Sequence, residues 1–89
     1  MQTPMEINPN YYDLPSRVQL EKLGVNQLGI RKVIKSRIIQ KDAAKIIVIA
    51  RQIKNVNPDL EVMLICTRNI CSKSIALLEN EGINIRRVE

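Results

Sequence analysis

Apolar and polar positions change rhythm several times along this chain of 89 residues. Residues 1–13 are polar and broken by Pro4 and Pro9, which predicts a flexible N-terminal arm ahead of a single domain over 14–89. Ser16-Arg17-Val18-Gln19 has the S-x-x-Q form of a capping box, Val18, Leu20 and Leu23 follow, and Gly24 can close the turn. This predicts a short helix over 16–23, with Gly29 marking the loop behind it. From Ile30 to Ile39 the period becomes two. Ile30, Ile34 and Ile38 share one face, and Arg31, Val33, Lys35, Arg37 and Ile39 share the other. That pattern predicts a half-buried strand near a sheet edge.

The stretch KDAAKIIVIARQIKNV could hide a buried strand in KIIVIA, but its polar residues favour a helix. Lys41, Lys45, Gln52 and Asn55 fall on one stripe, which Val48 interrupts, while Ile46, Ile49, Ala50, Ile53 and Val56 fall opposite. With Asp42 as N-cap, a helix is expected over 42–56. Asn57-Pro58-Asp59 makes a turn, and LEVMLIC, residues 60–66, reads as a central strand covered on both faces. A second amphipathic helix runs from 70 to 81, with Ile70, Ser74, Leu77, Leu78 and Glu81 along its turns and Gly82 closing it. INIRRV, 83–88, is a final strand. The order α-β-α-β-α-β predicts an α/β domain with a small, three-stranded, mostly parallel sheet and flanking helices.

Composition sharpens this picture. The chain has no Phe, Trp or His, so its core must be aliphatic and the commonest general base and metal ligand are missing. No apolar stretch reaches the length of a membrane span and no secretory leader opens the sequence, so a cytoplasmic protein without membrane contact is expected. A chain this short has a small margin of stability unless a partner shares its surface, and self-association as a dimer or other homo-oligomer is expected.

Charge is concentrated in the middle. Residues 30–54 carry Arg31, Lys32, Lys35, Arg37, Lys41, Lys45, Arg51 and Lys54 against Asp42 alone, a net of +7, while the flanking stretches 1–29 and 55–89 are each −1. Such a block is the footprint of a polyanion partner or, equally, a solvated face. Ligands of an open parallel sheet gather beyond the carboxyl ends of its strands. Thr67-Arg68-Asn69 and Gln40-Lys41 are expected there, with the first amides of helix 70–81, Arg68 and Lys73 favouring an anion.

Cys66 and Cys71 suggest three chemistries. A cysteine phosphatase has an Arg in the loop after its nucleophile, but Ser72 stands six residues after Cys66 and no Gly loosens the turn. A thiol redox pair prefers two intervening residues, and here there are four. Cys66 therefore reads as a small apolar core residue; Cys71 could face the loop, and a structural disulfide between them stays open.

The third chemistry is nuclease activity. The stretch from Val33 to Glu89, with Ile70, Ser74, Leu77, Leu78, Glu79, Gly82 and Ile83 in its second helix and final turn, resembles the C-terminal half of restriction-endonuclease-like nuclease domains. PIN-type ribonuclease domains have a similar tail. The resemblance implies a strand bearing an acid-x-Lys motif, but aligning Lys35 with its lysine puts Val33 where the metal-binding acid belongs, and a PIN-type site would want an acid at Asn69. The resemblance thus implies a nuclease-like scaffold without catalytic or metal-binding residues.

The resulting expectation is a small non-enzymatic protein, without a cofactor, that binds nucleic acid non-sequence-specifically. Phosphate contacts would come from Arg31, Lys32, Lys35, Arg37, Lys41, Arg68, Lys73, Arg86 and Arg87. Aromatic residues for base stacking are absent from these stretches. The alternatives are a protein-interaction or assembly module that meets an acidic partner, and a nuclease-like subunit completed by another chain.

Overall fold

The computed structural model describes residues 6–88. A turn of 3-10 helix at Pro9–Tyr12 leads into strand β1 (Gln19–Gly24), strand β2 (Gln27–Lys32), helix α1 (Gln40–Val56), strand β3 (Glu61–Cys66), helix α2 (Ser72–Asn80) and strand β4 (Asn84–Arg87). The mixed α/β sheet has four strands in the order β1-β2-β3-β4. β1 and β2 form an antiparallel hairpin, whereas β2, β3 and β4 run parallel.

Two sequence expectations need correction here. The expected helix over 16–23 is β1. Residues 17–21 alternate as cleanly as a strand does, with Val18 and Leu20 packed against the core and Arg17, Gln19 and Glu21 exposed. Pairing with β2 overrides the local helical signal, and the capping box gives way to a turn in which Val18 N–H donates to Pro15 O at 3.0 Å. The expected strand over 30–39 begins earlier and ends at Lys32, so Lys35 and Arg37 lie on a loop and do not share a strand face with Arg31. Gly29 is the reason. It sits inside β2, where an added Cβ would lie 2.6 Å from Ile65 Cδ1 and 2.9 Å from Leu23 Cδ1. A glycine fits because neighbouring side chains fold over the backbone, although in the sequence it resembles loop punctuation. The sheet therefore has four strands, not three.

The remaining elements lie close to their predicted positions. Asp42 is the third residue of α1 and not its N-cap. Its Oδ2 accepts from the N–H of the capping residue, Ile39, at 3.1 Å, supplying a carboxylate near the positive end of the helix. Gly82 follows α2 at φ +76°, a conformation that suits a residue without a Cβ.

Both crossovers step across the sheet in the same direction, and α1 and α2 pack against each other, so they cover the same face. The core lies between. Leu28 and Ile30 of β2 and Val62, Leu64 and Cys66 of β3 meet Ile46, Ala50 and Ile53 of α1 and Leu78 of α2. Within the stretch 1–13 read as an arm, residues 1–5 lie outside the described residues, but Tyr12 joins this core, as does Leu14 at the start of the expected domain. The Tyr12 hydroxyl donates to Glu6 O at 2.6 Å, and burial, reinforced by Tyr11 and Glu6, pushes its phenol up. Among the described residues, the opposite face of the sheet carries no helix. It is mostly polar, with Arg31 bonded to Glu21 at 3.3 Å and Glu61 accepting from Gln27 and Asn84; Ile65, under Leu23, is its buried centre.

Replacing Gly29 by Val should lower unfolding stability by about 1–3 kcal/mol in urea titrations, since Leu23 and Ile65 must leave their positions. Ala should cost less, because both obstructing atoms are flexible side-chain ends. Parental stability in the valine variant would show that these side chains give way freely.

Candidate nucleic-acid interface at the carboxyl edge

Register places the basic residues. Lys32 of β2, Cys66 of β3 and Arg87 of β4 form one row across the carboxyl ends of the parallel strands, and Arg31, Ile65 and Arg86 form the row before it. Side chains in one row share a face. Arg31 and Arg86 thus stand on the open face, two strands or roughly 10 Å apart, while Lys32 and Arg87 flank Cys66 on the helical side.

Two loops extend this edge, residues 33–39 after β2 and 67–71 after β3. They are joined by a parallel bridge between Ile38 and Ile70, in which Ile38 N–H donates to Asn69 O at 2.8 Å and Cys71 N–H donates to Ile38 O at 3.0 Å. Asn69 Nδ2 donates to Lys35 O at 3.2 Å. The loop that carries Lys35 and Arg37 is therefore fixed to the loop that carries Arg68. Lys41 lies in the first turn of α1, not in the loop expected there, and Lys73 lies in the first turn of α2. Both helices thus aim their amide-bearing, positive ends at the same edge.

The fold collects all nine predicted basic residues at one end of the parallel sheet, with differences in exposure and engagement. Arg31 is drawn toward Glu21, its carboxylate partner across the hairpin. Lys32 is half-buried, whereas Lys35, Arg37, Lys41, Lys73, Arg86 and Arg87 are exposed. Glu21 and Asp42 stand among these cations, the one against Arg31 and the other in the first turn of α1, and four acids lie elsewhere. Asp59 and Glu61 stand at the start of β3 and Glu79 and Glu81 at the end of α2, where Arg51 makes a two-pronged contact with Glu81 at 2.6 and 3.3 Å. Arg17 and Lys45 were not among the expected contacts. Both line a groove beside α1, as Lys32 does. Lys45 could have been found from its spacing of four from Lys41 on one helical stripe; Arg17 could not, because its neighbourhood reads as a helix.

Both cysteines are free. Cys66 is fully buried, and burial pushes its thiol up, opposed by Arg87. Cys71 is the N-cap of α2. Its Sγ accepts from Ser74 N–H at 3.4 Å and lies 2.9 Å from Ser74 Oγ. The Ser74 side chain and then its amide hold the Cys71 thiol down, with smaller contributions from the Lys73 amide and Arg37. The Ser74 hydroxyl is also 3.4 Å from Ile38 O. It has one hydrogen to give, so formation of the thiolate would draw that hydrogen to sulfur, while Cys71 N–H keeps Ile38 O satisfied. Among the described residues, no cluster of three His, Cys, Asp or Glu side chains could hold a metal ion, and no helix is long and apolar enough to cross a membrane.

Comparison with family models, with curated proteins and with solved structures finds no match to this chain.

The thiols should separate in a pH series of iodoacetamide labelling. Cys71 should react first and with a midpoint below that of an ordinary thiol, and Cys66 should stay protected until the protein unfolds. Ser74→Ala should move the Cys71 midpoint upward, because it removes the group that most favours the thiolate. An unchanged midpoint would remove Ser74 from this role.

Proposed function

We propose that this protein binds nucleic acid without reading its sequence, by contacting phosphates at the carboxyl edge of the parallel sheet. The convergence of Lys32, Lys35, Arg37, Lys41, Arg68, Lys73, Arg86 and Arg87 on that edge carries this reading. Two helix N-termini add partial positive charge in the same direction. A phosphate backbone requires a spread of cations and amide donors, and contacts to it carry no sequence information directly. Base stacking is not part of the proposal, since Tyr12 is buried and Tyr11 packs against it, in the segment ahead of β1.

The edge would act by displacing counterions. Lys35 and Arg37, on the tethered loop, would contact one stretch of backbone; Arg86 and Arg87, at the end of β4, would contact another. Arg31 contributes less, because binding must compete with Glu21 for its guanidinium. Cys66 and Cys71 take no part in catalysis in this reading, and replacing both with Ala in a folded protein leaves binding unchanged.

The test is a salt series on unrelated DNA duplexes. Each neutralised phosphate adds roughly 0.9 to the slope of log affinity against log salt, so four or five contacts give about −4. Changing Lys35 and Arg37 together to Gln should flatten the slope by up to about 2 and weaken binding to every duplex alike. Both side chains are exposed, so the fold should remain. Equal affinity of variant and parent across the series would transfer the basic edge to an acidic protein partner.

A further inference from the structure

The helical layer does not cover the sheet evenly. Two helices and the segment around Tyr12 share four strands, and a groove of about 800 Å³ remains between α1, the end of β2 and residues 13–19. Sites for small organic ligands occupy about 300–1,000 Å³. Its inner wall is aliphatic, formed by Leu14, Val18, Ile30, Ile46 and Ile49. At its lip stands Val48, the residue that interrupts the polar stripe of α1, and it is 65% exposed. A valine standing so far into solvent on an otherwise polar stripe gains nothing from the core. It does continue the apolar wall outward.

The other half of the groove is cationic. Arg17, Lys32 and Lys45 line it, against the carboxylate of Asp13; Arg31 borders it too, but its side chain turns to the open face toward Glu21. Arg17, Lys32 and Lys45 form no ion pair among the described residues. These cations gather toward the carboxyl end of β2 and the first turns of α1, whereas Val48, Ile49 and Gln52 lie further along the helix. The groove is polarised, with cations at one end and an aliphatic wall leading away from them.

We propose that this groove is a binding site for a small amphiphilic anion, a carboxylate or phosphate monoester on an aliphatic body. The head would lie among Arg17, Lys32 and Lys45, and the chain along Val18, Ile49 and Val48. Neither half suits a different ligand as well. A bare inorganic anion leaves the aliphatic wall wet, and a neutral apolar molecule leaves the cations unanswered. A nucleobase finds no aromatic ring on this wall. The site is separate from the proposed nucleic-acid edge except at Arg31 and Lys32, and it stands whether or not that edge binds nucleic acid.

The experiment follows backbone amide shifts of the 15N-labelled chain during titration with octanoate and octyl phosphate below their micelle concentrations. Saturable shifts at Val18, Ile30 and residues 45–52 are expected. Octanol should bind roughly five- to tenfold more weakly, the scale of two exposed charge contacts, and octylamine more weakly still. Affinity should rise roughly two- to fourfold per added methylene from hexanoate to decanoate, up to the value for a fully buried methylene. Arg17→Gln with Lys45→Gln should bring octanoate to the level of octanol, and Val48→Asp should weaken every member of the series without unfolding the chain.

Vesicles of phosphatidylglycerol identify the source. Octyl phosphate binding without co-sedimentation assigns a free anion; co-sedimentation lost in the Arg17/Lys45 variant assigns a lipid headgroup. Shifts centred on Arg86, affinity independent of chain length, or octanol binding as tightly as octanoate would each overturn the proposal.

Discussion

A strand with neighbours on both edges must satisfy its backbone through those neighbours and accommodate a layer on each face. β3 is the strand on which the rest of this protein depends. Its parallel pairing with β2 and β4 fixes the direction of both neighbours, and each parallel step requires a crossover helix on the same side. Val62, Leu64 and Cys66 are buried beneath that helical layer, while Ile65 points to the other face and is buried too. An aliphatic run with one polar end is thus a consequence of its central position. The same direction rule brings the ends of three strands and the beginnings of two helices to one edge, where the basic residues of those segments meet.

From α1 onward the fold was legible in the sequence because the polar spacing settles its one ambiguity, the apolar KIIVIA stretch. In α1 and β3, the polar spacing and the uninterrupted apolar run each favour one element. α2 and β4 are separated by Gly82, whose left-handed conformation marks the boundary. The first half was harder to read. Arg17 to Glu21 alternate with period two, yet Ser16 and Gln19 imitate a capping box. Gly29 lies in β2 because Leu23 and Ile65 need its missing side chain, and no local pattern shows which distant residues will fold over a glycine.

The candidate site was legible to the same extent. Its residues could be chosen from charge and from the rule that ligands gather at strand ends. Their arrangement could not, because Lys35 and Arg37 were placed on a strand that ends at Lys32. The groove beside α1 was beyond reach. It exists because Leu14 packs on the core as the chain approaches β1, and its apolar lip depends on Val48, which in the helical pattern was only an interruption.

The bridge between Ile38 and Ile70 has a consequence for motion. Two surface loops on separate crossovers would ordinarily fluctuate independently, each losing its own conformational freedom when a ligand orders it. Here Ile38 N–H and O are both held by the neighbouring loop, and Lys35 O accepts from Asn69. Ile38 and Ile70 are themselves buried. Freeing either loop breaks bonds made by the other, which couples their opening. The backbone that carries Lys35, Arg37 and Arg68 is therefore a single pre-ordered body, and its share of the ordering entropy is spent during folding, while the exposed side chains keep theirs.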